Sequence, residues 1–243
     1  MRAIILAAGT GTRLGGTTTK ALVEINGKKM IDYLMDFLNL ELFDEIFVVG
    51  GFHFNDLNEY LSSKKNPKIK ILENTEYLKG NIYTMLRGLK EFDNDSFLLT
   101  NADHIYPRIM FDKMEKSFQH ITAMCDFDRN LGADDMKVAI GTDRVEAIDK
   151  KLEHYNCGYI GMTFVHKDYF NIYKKAADDT ITRIGEKAVV ENILQTLSHD
   201  PQTAPYICDL SGFGWYEVDD ETDKAYAEKN LLTDKNFVNL SLA

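Results

Sequence analysis

The sequence predicts an α/β fold of three layers, with a mostly parallel sheet covered by helices on both faces. Short apolar runs alternate with longer amphipathic stretches through the first hundred residues. Each run is continuously apolar, the pattern of a strand buried on both sides. A glycine-rich loop follows the first run directly, where sheets of this kind bind ligands.

Ala3–Ala8 reads as the first strand, and Glu45–Val49 as the second. Between them, Met30–Leu42 reads as a helix on the spacing of Ile31, Leu34, Met35 and Leu38. Phe54–Leu61 reads as a short helix, Lys68–Leu72 as the third strand, Ile82–Leu89 as a helix and Ser96–Thr100 as the fourth strand. The second half is more mixed. Ile121–Cys125, Met136–Ile140 and Val145–Ile148 read as strands, the last two joined by a turn at Thr142-Asp143. Cys157–Val165 is the longest apolar run there, and its β-branched and aromatic content makes it a strand. Helices are expected over Lys167–Ala177 and Lys187–Ser198, and a polar helix over Glu221–Asn230. Tyr206–Leu210 and Trp215–Val218 are expected to finish the sheet. With four prolines, no linker and no internal repeat, the chain reads as one domain over residues 1–243 with a β-rich insertion.

The chain has 243 residues, with 28 Lys+Arg against 38 Asp+Glu and a net charge of −10. That balance gives no basic footprint for nucleic acid, so any polyanion must meet a local pocket of cations or a metal ion. Cys125, Cys157 and Cys208 are few and far apart, which argues against a disulfide framework and structural zinc. None of the six histidines forms an i, i+4 pair, which also disfavours zinc. No apolar run approaches the length of a membrane span, and the N-terminal run breaks too early for a signal peptide. A cytoplasmic protein is expected.

The loop Leu6-Ala7-Ala8-Gly9-Thr10-Gly11-Thr12-Arg13 lets the backbone approach phosphates closely. A dinucleotide fingerprint fails here because the third glycine, Gly15, falls one residue late. A phosphate loop of the G-x-x-x-x-G-K type fails because Thr17 stands where the lysine belongs. A tight turn that happens to carry Gly and Arg is the structural alternative. Leu-Ala-Ala-Gly-x-Gly-x-Arg followed by Lys20-Ala21-Leu22 resembles the sugar-phosphate nucleotidyltransferases, with Thr19-Lys20 in place of their usual Pro-Lys. The resemblance implies a Rossmann-like, mostly parallel sheet, with a nucleotide-binding half over residues 1–120 and an acceptor-binding half over 121–243. It also implies that the loop wraps a nucleoside triphosphate while Arg13 and Lys20 neutralise its phosphates.

Two acidic segments extend the resemblance. Phe97-Leu98-Leu99-Thr100-Asn101-Ala102-Asp103 ends a strand in the position of the family's metal-binding aspartate. Trp215-Tyr216-Glu217-Val218-Asp219-Asp220 is similar to the family's closing acidic segment, which implies Asp219, or else Glu217, as the second metal ligand. Mg²⁺ suits such a pair, since it takes one or two carboxylates and fills its other sites with water and phosphate oxygens. Read without the resemblance, Asp103 is an ordinary turn or capping residue and the second segment a solvated helix start.

Asn74 to Thr84 resembles the family stretch that lines the nucleotide, which implies roles for Gly80, Asn81 and Thr84, beside Asn101 and Ala102. A plain helix start capped by Asn81 is equally compatible. Asp126 to Gly161 resembles the inositol-phosphate and phosphocholine cytidylyltransferase branch. The resemblance implies Lys137 and Lys150 on the acceptor phosphate, and Asp128 and Glu191 on hydroxyls or a positive head group. Trp215, Tyr216, Phe213 and Tyr155 would supply a cation–π box for a quaternary amine, or else pack in the core. The implied activity is Mg²⁺-dependent transfer of a nucleotidyl group, CTP preferred, onto a small phosphorylated or phosphonate alcohol, with pyrophosphate released. A sugar-1-phosphate nucleotidyltransferase using UTP, dTTP or GTP is the alternative within the class. A dinucleotide-dependent oxidoreductase and a silent nucleotide-binding regulator are the rivals outside it. The expected partners are small molecules, with no nucleic acid and no membrane insertion; a homo-oligomer remains open.

Overall fold

The computed structural model describes residues 1–38 and 40–238. In the first half, β1 (Arg2–Ala7) leads through the glycine loop to a small hairpin, β2 (Glu24–Ile25) and β3 (Lys28–Lys29). There follow α1 (Met30–Phe37), β4 (Glu45–Gly50), α2 (Phe54–Ser63), β5 (Ile69–Glu73), α3 (Asn81–Leu89), β6 (Phe97–Asn101), β7 (His104–Ile105) and α4 (Arg108–Glu115). The second half comprises β8 (Ile121–Asp126), β9 (Lys137–Ile140), β10 (Val145–Asp149), β11 (Cys157–Val165), α5 (Phe170–Ile184) and α6 (Val190–Ser198). It closes with β12 (Tyr206–Asp209), β13 (Tyr216–Glu217), α7 (Glu221–Leu231) and α8 (Lys235–Val238).

Strands β5, β4, β1 and β6 lie side by side and parallel. Beyond them β11 runs antiparallel to β6 and to β8, and β12 pairs with β8 in parallel. The sheet is therefore mixed and mostly parallel in its first half, as expected. Alternate residues of β1 enter opposite cores: Ala3, Ile5 and Ala7 pack with α1, α2 and α4, while Ile4 and Leu6 pack with α3, α5 and α6. Helices thus cover both faces, which is why the first strands read as unbroken apolar runs. The hairpin β9–β10 joins at one end of β11 and turns at Gly141–Arg144. All three cysteines are free and buried. Among the described residues, no helix is long and apolar enough to cross a membrane.

Several elements depart from the sequence reading. The first helix stops at Phe37 because Leu38 turns to extended backbone (φ −68°, ψ 134°), which lets both Leu38 and Phe43 bury. Helix α5 continues past Ala177 to Ile184 and ends at Gly185 (φ 84°), while α6 starts at Val190, where Asn81 Oδ1 accepts the backbone N–H at 2.9 Å. The segment Trp215–Val218 does not finish the main sheet. Its residues Tyr216–Glu217 pair antiparallel with β7 in a separate two-stranded ribbon, Glu217 opposite His104.

Candidate active site at the strand ends

The site is assembled where β1 and β6 end. Leu6 stands beside Asn101 in the parallel register, and the Ala102 N–H donates to Leu6 O at 3.0 Å, so Asp103 emerges next to the start of the glycine loop. The loop folds back on Gly11, whose φ of 57° suits glycine and whose carbonyl accepts the N–H groups of Leu14 and Gly16. Thr19, fully buried, donates its hydroxyl to Ala7 O at 3.3 Å and thereby delivers Lys20 over the strand ends. From the other side, the Val218 N–H donates to Asp103 O at 3.0 Å, and the β7–β13 ribbon carries Asp219 to the same point.

Four charged side chains converge there. Lys20 Nζ donates to Asp103 Oδ2 at 2.8 Å and also to Asp219 Oδ1. Arg13 Nη2 donates to Asp219 Oδ2 at 2.8 Å from the exposed lip of the loop. His104 Nδ1 lies 2.6 Å from Asp103 Oδ1, and its Nε2 lies 3.9 Å from Glu217 Oε1. The His104 ring stacks with those of Trp215 (centroids 5.4 Å, planes 8° apart) and Tyr106 (5.6 Å, 24°). Gly161, at φ 76°, makes room for it, since a Cβ there would sit 2.8 Å from His104 Nε2.

The electrostatics follow from this packing. Burial alone would raise the Asp103 carboxyl, but the Lys20 ammonium and the His104 imidazole outweigh it and hold it far below the usual carboxylate range. Burial would lower Lys20, and its two aspartates reverse that and raise it. Burial likewise opposes charging of His104, while Glu217 and Asp103 raise it. Glu217 itself is pushed up, chiefly by burial. The result is a partly buried cluster in which Asp103 on one side and Lys20 and His104 on the other favour each other's charged forms.

Residues 3–143, more than half of the chain, match the MobA-like NTP transferase domain family. The chain belongs to that family. Over 96% of its length, this NTP transferase domain is 29% identical to the bifunctional IPC transferase and DIPP synthase of Archaeoglobus fulgidus, of which it spans 44%. Over 48% of its length it is 30% identical to the choline-phosphate cytidylyltransferase of Streptococcus pneumoniae, covering 51% of that protein. The structure of the inositol-1-phosphate CTP transferase from T. maritima superposes with a TM-score of 0.77 at 21% identity, over 94% of each chain. That likeness establishes the nucleotidyltransferase fold.

The NTP transferase loop residues Gly9 to Arg13 rim the site and face solvent, whereas Leu6, Ala7, Ala8 and Ala102 are buried and supply backbone. Asn101 is half-buried at the end of β6. Gly80, Asn81 and Thr84 take structural roles. The Thr84 hydroxyl accepts from Asn74 Nδ2 at 3.0 Å in the core, Asn81 Oδ1 holds the start of α6, and Gly80 abuts the Ala188 carbonyl. Lys137 is also redirected: its ammonium donates to the backbone carbonyls of Gly132 and Lys150 at 2.8 and 2.7 Å, which ties down the loop before β9. Lys150 remains exposed. Glu191, in the first turn of α6, is buried, and its carboxyl is pushed up by that burial with Lys150, Glu217 and His104 in its surroundings.

The aromatic box does not assemble. Tyr155 lies beside Lys137, Phe213 packs against the core beside Lys113, and Tyr216 packs with Tyr226 and Phe237 while donating to Asp234 Oδ2. Trp215 is 8% exposed, with the Arg129 guanidinium 4.0 Å from its ring and its Nε1 donating to Asp126 Oδ2 at 2.9 Å. Arg129 and Asp126 lie in the segment that carries the resemblance, which gives neither of them a role. The available signal was that Arg129 is the one basic residue between Cys125 and Lys137.

Proposed function

We propose that this domain transfers a cytidylyl group from CTP to the phosphate or phosphonate of a small alcohol. The acceptor oxygen attacks the α-phosphorus, a new P–O bond forms, the bond to the β-phosphate breaks, and the electron pair leaves with pyrophosphate. The acceptor is already an anion near neutral pH, so the chemistry needs charge compensation and alignment more than a strong base. The observation that carries the reading is the cluster of Lys20, Arg13, Asp103 and Asp219 at the strand ends. CTP as donor rests on the relatives, which are named for cytidylyl or CTP transfer.

Asp103 and Asp219 each bring one oxygen to a single cation, the Lys20 ammonium, so the pair fits a shared hard divalent ion. Those two carboxylates would hold Mg²⁺, with Glu217 facing His104 behind them. When bound, the ion compensates the repulsion between the anionic acceptor and the triphosphate. Lys20 and Arg13 then face the triphosphate oxygens, where they stabilise the charge that develops as pyrophosphate departs. Residues Gly9 to Thr12 present backbone N–H groups at the rim for the same phosphates.

The test is pyrophosphate release with Mg²⁺, crossing CTP, UTP, GTP, ATP and dTTP with inositol phosphate, choline phosphate, aminoalkyl phosphonates and sugar 1-phosphates. The expected result is release with CTP and an alcohol phosphate or phosphonate. Release with UTP, dTTP or GTP and a sugar 1-phosphate would replace the cytidylyl reading with the sugar-nucleotide one. Absence of release together with absence of Mg²⁺-dependent binding of any NTP would overturn both.

A further inference from the structure

Next to the carboxylate cluster lies a cavity of about 690 Å³, lined among others by Asp126, Asp128, Arg129, Phe213, Trp215 and Glu217. Glu217 connects it to His104 and thus to Asp103, so a molecule seated there reaches the edge of the reaction centre. The cavity wall is rich in carboxylates, and among the described residues that line it Arg129 is the one cation.

Arg129 is held in place by a series of contacts. Asp126, buried at the end of β8, accepts the Trp215 indole N–H through Oδ2 and the Asp128 backbone N–H through Oδ1 at 2.8 Å. That fixes both the turn carrying Arg129 and the ring beneath it. The guanidinium lies 4.0 Å from the ring centroid, a planar cation on an aromatic face. Its ion partner among the described residues is Asp135 at 3.8 Å, beyond hydrogen-bonding distance, so the planar fork keeps its donors for a ligand. A guanidinium fixed in orientation suits the paired oxygens of a phosphate or phosphonate. The Arg129 guanidinium and the His104 ring both stack on the indole, so a quaternary ammonium would have to compete with them for its faces.

We propose that Arg129 holds the phosphate or phosphonate group of the acceptor, an assignment that relies on the nucleotidyl-transfer reading only in calling that ligand the acceptor. Hydroxyls or an amine on the same molecule then meet the surrounding carboxylates. The site selects an anion at one point and hydrogen-bond donors around it.

Trp215 is the single tryptophan of the chain, so its fluorescence reports the cavity directly. The probes are inositol 1-phosphate, choline phosphate, 2-aminoethylphosphonate and inorganic phosphate, with phosphate-free inositol as control. At least one phosphorylated probe should change the wild-type emission saturably, and inositol should not. Arg129→Ala should weaken that probe roughly tenfold or more, and Arg129→Lys should recover part of the loss. In turnover, Arg129→Ala should raise the acceptor KM more than it lowers kcat. Failure of every phosphorylated probe, or equal affinity in wild type and Arg129→Ala, would overturn the assignment. Phosphate binding through Arg129 without pyrophosphate release from any NTP would leave the anion site standing and remove the transfer reading. Turnover with an unchanged acceptor KM in Arg129→Ala would do the reverse.

Discussion

Lys20 Nζ lies 2.8 Å from Asp103 Oδ2 and pairs at the same time with Asp219, joining segments 83 and 199 residues away in sequence. All three side chains are less than a third exposed, so the ammonium is the counter-charge that lets two carboxylates meet at the strand ends. Lys20→Met should therefore cost about 2–3 kcal/mol in urea unfolding. Added Mg²⁺ should recover much of that loss without nucleotide, because a divalent ion can take the place of the ammonium. A variant whose melting is insensitive to Mg²⁺ would show that the carboxylates do not share a cation site.

Arg13 offers the opposite balance. Its side chain is 61% exposed and pairs with Asp219 at the surface. Arg13→Ala should change stability by less than about 1 kcal/mol, while turnover falls by about 100-fold through lost stabilisation of developing phosphate charge. Urea melts and initial rates of pyrophosphate release measure the two sides.

His104 should make stability pH-dependent in the metal-free protein. Its folded pKa is raised, so its contribution is complete below its ordinary value of about 6.5 and is lost as pH rises through the folded value. Asp103 is depressed, so its contribution is present above about 4 and is lost as pH falls. Their charge-assisted bond is strongest between those limits. His104→Gln should cost about 2 kcal/mol at pH 5.5 and clearly less at pH 8.5; an equal cost at both would contradict the pairing.

Glu191 carries a sign of its own. Its pKa is raised, chiefly by burial, so the fold holds it best when it is neutral. The stability it contributes is present below the ordinary glutamate range and is lost as pH rises through the folded value. Glu191→Gln should raise Tm at pH 8 and leave it nearly unchanged at pH 4, as read by calorimetry.

Gly80 tests the junction between α3 and α6. A Cβ there would sit 1.7 Å from Ala188 O, a carbonyl that cannot move without shifting the start of α6. Gly80→Ala should destabilise by about 3 kcal/mol, with a lower urea midpoint and an unchanged slope.

The parallel half of the fold was legible because strands buried on both faces are written as unbroken apolar runs, such as Ile46 to Val49. The loop from Leu6 to Arg13 and Asp103 stand out through the family resemblance, whose motifs are contiguous, and the structure brings both to the strand ends. The rest depended on pairings that no local pattern encodes. The ribbon of β7 and β13 is two residues long on each side, too short for a period to show, yet it brings Asp219 to Asp103. Asn81 meets Val190 109 residues away, and Trp215 meets Asp126 89 residues away. Lys137 reads as a free cation in sequence, and only the path of the loop before β9 gives its ammonium two carbonyls. Helix α4 went unread, its buried Met110, Phe111 and Met114 interleaved with charges in a stretch of eight residues.

The central claim is that Asp103 and Asp219 form a carboxylate pair that binds metal and nucleotide together. Calorimetric titration of CTP with and without Mg²⁺, on wild type and on folded Asp103→Asn and Asp219→Asn variants, tests it most directly. The account predicts CTP binding that requires Mg²⁺ in the wild type and is lost or severely weakened in both variants. CTP binding of equal strength without Mg²⁺, or unaltered in both variants, would contradict it.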